Sequence, residues 1–270
     1  MLFCLYVRAY CRFAGYASDS MSDGSPTDSS PEQRLCDEEP VCATCPTYQQ
    51  AEWQALGPEL LRKINSSKVY MQIDRGKAVF NQNSPVNGVH CVRRGSIAMR
   101  RSDAHGNSRI SRLIEAGQTL GYRALFAGTV YEASAEPLTP CQVCFIPKAV
   151  VSELLTESPE LSSRFLQRMA GDLGDAELSG FRTTFLRIRT RLAHLILAMR
   201  GRHGTVDDEG NIIIEPPLSR QDMAALIGAR AESLSRAIRA LQEDGVAKFG
   251  RRRIEVHDLD NLLDEIDDHI

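Results

Sequence analysis

Cys36, Cys42 and Cys45 fall within ten residues, in the run LCDEEPVCATCP. Thiolates spaced C-x5-C-x2-C can wrap one metal centre. The stretch before them, SDGSPTDSSPEQ, is too polar to build a core, so these thiols are not read as packed hydrophobes. Cys4, Cys11, Cys91, Cys141 and Cys144 complete a set of eight. In a 270-residue chain with a large apolar fraction, such a cluster points to a cytoplasmic setting, where it binds metal or senses redox state. Cys91, between apolar residues in VHCVRRG, reads as a core residue.

A second chemistry lies near the carboxy terminus, in LSRQDMAALIGARAESLSRAIRALQEDGVAKFGRRRIEV. Ser219 with Asp222 three residues later is an acidic form of the capping box, and Gly228 ends the short helix they start. A second helix runs from about Ala231 to Glu243, with Leu234, Ile238 and Leu241 on its buried face. Asp244 and Gly245 stop it, and the residues around Arg251–Arg253 read as a small hairpin. Helix, turn with Gly, helix and β-wing make a winged helix-turn-helix. Glu232, Ser235, Arg236 and Arg239 are then free to face a DNA major groove. Arg236 suits guanine O6 and N7, Glu232 a cytosine amino group, and Ser235 a neighbouring base. From residue 181 to 255 there are fourteen basic and nine acidic residues, a net +5 within a chain of net charge −3. That local excess suits phosphate contact. The last fifteen residues hold six acidic residues and no Lys or Arg, and read as a solvated face.

These groups need elements to position them. A short helix follows the cysteines, on the recurrence of Trp53, Leu56, Leu60, Leu61 and Ile64. From about 68 to 146, the runs VYMQID, VHCVRRGSIAMRR, SRISRLIEAG, TLGYRALFAG, VYEASAE and CQVCFIP alternate with glycines, as in a β-sandwich or β-roll. Ser158 and Pro159 then open a helix of about 25 residues. Leu161, Phe165, Met169, Leu173, Leu178, Phe181, Phe185, Ile188 and Leu192 leave one apolar stripe along it and a second helix near 187–200, and such a stripe calls for a partner. A homodimer seam is one reading and packing on the β domain the other. The expected division is a polar extension 1–35, a cysteine segment 36–48, a β-roll sensor 49–157, a dimerisation helix 158–185, a DNA-binding domain 186–260 and an acidic tail 261–270.

Hydrophobic residues make up 43% and charged residues 25% of the chain, as in soluble globular proteins. No apolar run reaches the roughly 18 residues of a membrane helix, so no membrane partner is expected. Arg8 and Arg12 interrupt the apolar start, so it does not read as a secretory signal. Translation is expected to start at Met21, with Met1 the alternative. No nucleophile–base constellation, phosphate loop or dinucleotide fingerprint points to an enzyme.

The order β-roll, long helix, winged helix-turn-helix resembles the Crp/Fnr family of bacterial transcription regulators, over roughly residues 36–260. Glu232-x-x-Ser235-Arg236 looks like the DNA-reading motif of the Fnr branch, with Ala231 where the Crp branch has Arg. The resemblance implies an α+β chain with a cyclic-nucleotide-binding-like double-stranded β-helix, acting as a homodimer on TTGAT-like inverted repeats, with RNA polymerase as a further partner. The segment GQTLGYRALFAG lacks the Gly-Glu and Arg-Ser pairs of a cyclic-nucleotide cassette, so cyclic nucleotide is not expected. In Fnr-like oxygen sensors, three amino-terminal cysteines and one from a strand ending in Ile-Pro hold a 4Fe–4S cluster. The resemblance thus implies Cys36, Cys42, Cys45 and Cys144 as ligands, with Cys141 competing for the fourth place; here the close C-x2-C pair comes last. It further implies oxygen or nitric oxide as the signal. Zinc is the alternative occupant of four thiolates, and a haem, nitric oxide or thiol redox sensor the alternative device.

Overall fold

The computed structural model describes residues 41–267. Cys36, the polar extension and the choice between Met1 and Met21 lie outside them. The chain enters through three short 3-10 turns, Cys42–Thr44, Tyr48–Gln50 and Glu52–Ala55, and then α1 (Pro58–Ser67), with Pro58 opening the helix. Trp53 and Leu56 therefore lie ahead of α1 rather than on it. Both are buried nonetheless, beside Ile64.

Two antiparallel sheets follow. One has the order β1 (Val69–Ile73), β7 (Cys141–Pro147), β2 (Gly88–Arg94), β5 (Thr119–Leu120). The other has the order β4 (Ser108–Ile114), β3 (Ile97–Ser102), β6 (Ser134–Pro137). Their facing side chains, among them Val92, Ile97, Ile114, Leu120 and Val143, form a core. Gly95, at φ +95°, turns β2 into β3; a Cβ there would lie 2.6 Å from the Cys141 sulfur. The β-roll expectation holds, with one local correction. TLGYRALFAG is not strand throughout: Tyr122–Ala127 form α2, bracketed by left-handed Gly121 and Gly128. Ala and Leu favour helix, and the two glycines supply its ends.

Helix α3 (Lys148–Glu157) leads into α4 (Pro159–Phe185), whose first turn Ser158 caps by accepting from the Leu161 N–H. The expected single stripe on α4 is two faces. Leu161, Phe165 and Asp172 are buried, whereas Leu166, Met169, Leu173, Phe181 and Phe185 are exposed. A 27-residue helix drifts around its axis, and one apolar count along it merges both faces. Ile188 and Leu192 belong to the next helix, α5 (Ile188–His203).

The last domain holds α5, β8 (Gly204–Val206), β9 (Ile212–Ile214), α6 (Arg220–Ile227), α7 (Ala231–Glu243), β10 (Lys248–Phe249), β11 (Ile254–Val256) and α8 (Leu259–Asp267). The wing is wider than the sequence suggested: β10 and β11 join β9 and β8 in a four-stranded sheet. The acidic tail is also more than a solvated face. Leu262 and Ile266 of α8 enter the domain core, and Glu265 pairs with Arg189 of α5. Spacing four apart puts both apolar residues on one side and leaves Asp260 and Asp264 exposed.

Candidate metal centre and nucleic-acid interface

Cys42, Cys45 and Cys144 line one pocket, together with Cys91, Lys68 and Arg93. Each arrives by a different local cause. The first 3-10 turn is closed by the Cys45 N–H donating to the Cys42 carbonyl at 3.1 Å, which folds the C-x2-C pair back on itself. Asn65, in the last turn of α1, accepts the Cys42 N–H at 2.9 Å and ties that turn to the helix. Cys144 lies on central strand β7, opposite Tyr70 of β1 and Cys91 of β2. Cys45 exchanges a hydrogen bond of 3.3 Å with Thr47.

Cys141 does not reach this pocket. It is 2% exposed on the other side of β7, where its thiol donates to the carbonyls of Thr139 at 3.1 Å and Ser96 at 3.5 Å. Side chains three positions apart on a strand point to opposite faces. Cys91, read from the sequence as a core residue, packs against the cluster of Trp53, Ile64 and Val89 and also borders the pocket. Cys91 is half-buried, and its sulfur is 3.8 Å from the Thr119 hydroxyl.

No disulfide joins the described cysteines. Burial pushes the Cys144 thiol up to about 11, with Lys68 and Arg93 acting against that shift and Cys42 and Cys45 adding to it. Burial raises Cys91 well above its ordinary range, and raises Cys141 with relief from Thr139. Among the described residues, no three His, Cys, Asp or Glu side chains are gathered tightly enough to hold a single ion. The donor set of soft sulfurs with two cations at hand fits a thiolate-bound cluster in charge and chemistry.

The pocket is joined to α4. The segment after Cys45 carries Trp53, whose ring meets Phe165 of α4 edge-on at 5.4 Å. Trp53 also donates to the Thr119 hydroxyl at 3.2 Å, which donates to buried Glu52 at 2.7 Å. One helical turn on from Arg168, Asp172 is gripped by Arg112 of β4, the Tyr122 hydroxyl of α2 and Arg168 itself. No sequence signal marks this knot, because its members are spread over sixty residues.

At the other end, the expected capping box forms: Ser219 accepts the Asp222 N–H at 3.1 Å, and Asp222 accepts the Ser219 N–H at 3.0 Å. Asp222 also accepts from Arg100 of β3 at 2.6 Å. Burial acts to raise its pKa, but the bonds from Ser219 and Arg100 outweigh this and hold it below the usual carboxylate range. Gly228, at φ +64°, makes the turn to α7. Leu234, Ala237, Ile238 and Leu241 face the core, and Glu232, Ser235, Arg236 and Arg239 stand exposed on the opposite face. The Arg236 guanidinium donates to Ser233 at 3.2 Å, which aims it along the helix. Arg251, Arg252 and Arg253 lie exposed on the turn between β10 and β11. A basic helix face beside a basic wing can meet bases and flanking phosphates together.

Two family profiles match the chain. One, described as a cyclic nucleotide-binding domain, matches residues 70–158, and one, described as a Crp-like helix-turn-helix domain, matches residues 190–265. A probable transcriptional activator of Rhizobium leguminosarum bv. viciae is 26% identical over 82% of this chain and 91% of its own. The transcriptional activator protein FnrL of Cereibacter sphaeroides is 25% identical over 84% of this chain and 92% of its own. Among solved structures, a CRP/FNR-family transcriptional regulator from Thermus thermophilus superposes with a TM-score of 0.63 at 21% identity, over 75% of this chain and all of that one. No helix among the described residues is long and apolar enough to cross a membrane.

Proposed function

Because the chain belongs to the Crp/Fnr family of DNA-binding transcription regulators, we propose that it is an Fnr-type cytoplasmic sensor of oxygen or nitric oxide that works through a 4Fe–4S cluster. Cys36, Cys42, Cys45 and Cys144 are its ligands in this reading. The observation that carries it is the pocket in which Cys144 meets Cys42 and Cys45 from about a hundred residues away. When bound, such a cluster supplies a centre that oxidants dismantle. The remaining steps belong to the chain. With Cys42 and Cys45 held against β7, the segment through Trp53 stays packed on Phe165 and fixes the face that α4 turns outward. Leu166, Met169 and Leu173 of two copies then meet, setting two α7 helices into successive major grooves of a TTGAT-like inverted repeat. Release of the thiol loop loosens the inner face of α4 and shifts the population towards monomer. Glu232, Ser235 and Arg236 read bases, and Arg239 reads phosphate. RNA polymerase is a further partner, no reaction is catalysed, and no cyclic nucleotide is needed. For the last point, Tyr122 within the cassette segment and Arg112 of β4 ahead of it are already engaged by Asp172.

Fluorescence anisotropy with a labelled TTGAT inverted repeat tests this reading. Anaerobically purified protein should bind at least tenfold more tightly than the same sample after air exposure. Equal binding in both states, or a colourless anaerobic protein containing zinc, contradicts it.

A further inference from the structure

We infer that Lys68 is the counter-cation of the thiol centre, holding its negative charge through a direct contact with the Cys42 sulfur. The inference rests on the cluster reading above. Lys68 ends α1, its backbone N–H bonded to the Ile64 carbonyl at 2.8 Å, and only 7% of the residue is exposed. An ammonium is costly to bury unless charge and hydrogen bonds answer it. Its Nζ donates to Sγ of Cys42 at 3.3 Å and to Oδ1 of Asn65 at 2.8 Å. The same Asn65 oxygen accepts the Cys42 N–H. One amide oxygen thus aligns both the cation and the thiol-bearing turn. Arg93 of β2 also lines the pocket, and its charge acts on Cys144.

The charge count says what this does. Four thiolates carry four negative charges and a 4Fe–4S core in its ordinary state two positive ones, so a bound cluster would be a dianion. Were such a centre to lose one electron to dioxygen, giving superoxide, it would become less negative. A buried cation favours the more negative state and so opposes that loss, as does an N–H···S bond. Lys68 is a positioning residue here: it acts on the centre through Cys42 and its own charge.

Full-length protein, purified anaerobically, would be compared as wild type, Lys68→Met and Lys68→Arg. Iron and sulfide content and the rate at which the absorbance near 400 nm bleaches in air-saturated buffer are measured. Lys68→Met keeps length and removes charge; Lys68→Arg keeps charge and changes shape. The expected order is wild type slowest, Lys68→Arg within twofold of it, and Lys68→Met at least fivefold faster. A Lys68→Met protein without cluster beside a Lys68→Arg protein with one supports the same role. If Lys68 only packs, the order reverses, with Met close to wild type and Arg fastest, and the inference falls. It falls equally if neither variant differs from wild type, or if neither holds a cluster. Absence of iron and sulfide from the wild type overturns the cluster reading itself, a result distinct from any of these.

Discussion

Replacing Asp172 should loosen the helix assigned above to dimerisation. The Asp172 side chain is 8% exposed and is bound by Arg112, Arg168 and the Tyr122 hydroxyl, the two arginines being 21% and 24% exposed. Asp172→Ala leaves two guanidinium groups and a phenol facing a gap. Removing one partner of a buried pair costs about 3–5 kcal/mol, and the partial exposure of both arginines places this case near 3 kcal/mol. Asp172→Asn keeps an acceptor for Tyr122 and loses the charge, so about half that cost is expected. Trp53 is the only tryptophan in the chain and touches Phe165 two turns before Asp172. Its fluorescence therefore reports the contact between α4 and the sensor. With a urea slope of about 2 kcal/mol per molar, the Asp172→Ala midpoint should fall by about 1.5 M at matched protein concentration. A change below about 0.5 kcal/mol would refute the claim that this knot fixes α4.

Four other outcomes are expected. Arg236→Ala should cost about 1–3 kcal/mol of affinity for the specific repeat and relax preference at one base pair, whereas Arg239→Ala should weaken all sequences and lower the salt slope by about 0.9 per half-site; anisotropy titrations across salt concentrations check both. Leu173→Asp, on the exposed face of α4, should give a folded monomer by light scattering with unchanged helix content. His90 lies between the rings of Phe80 and Phe145, and burial lowers its pKa to about 4. The unfolded chain, with an ordinary value near 6.5, therefore takes up a proton first as the pH falls. Stability from His90 is present above pH 6.5 and lost between 6.5 and about 4, by roughly 3 kcal/mol at 1.36 kcal/mol per pH unit. His90→Leu should flatten that stretch of the pH–stability curve measured by urea unfolding.

Local signals were legible in the sequence. Ser219 with Asp222, Gly228, and Ser158 with Pro159 start or stop helices through bonds within a few residues, and each stands where its chemistry placed it. The outward set on α7 followed from the buried positions opposite it. That Cys141 and Cys144 face opposite sides of β7 was also available, because three residues along a strand reverse the face. What stayed hidden depends on register and long-range packing. Cys91 comes beside Cys144 only because β2 pairs with β7 in one register. Lys68 and Asn65 meet Cys42 only because α1 folds back on the thiol turn. Asp172 is bound by Arg112 and Tyr122 from other elements, and nothing in its own sequence neighbourhood marks that. The apolar positions of α4 counted as one stripe because sequence spacing does not say which of two faces meets the sensor.

The sensing claim turns on Cys144. Iron and acid-labile sulfide should be measured in anaerobically purified full-length protein, with Cys144→Ala and Cys141→Ala beside the wild type. About four iron and four sulfide per chain are expected in the wild type and in Cys141→Ala, and almost none in Cys144→Ala. Full cluster content in Cys144→Ala, or zinc in place of iron in the wild type, would contradict the claim.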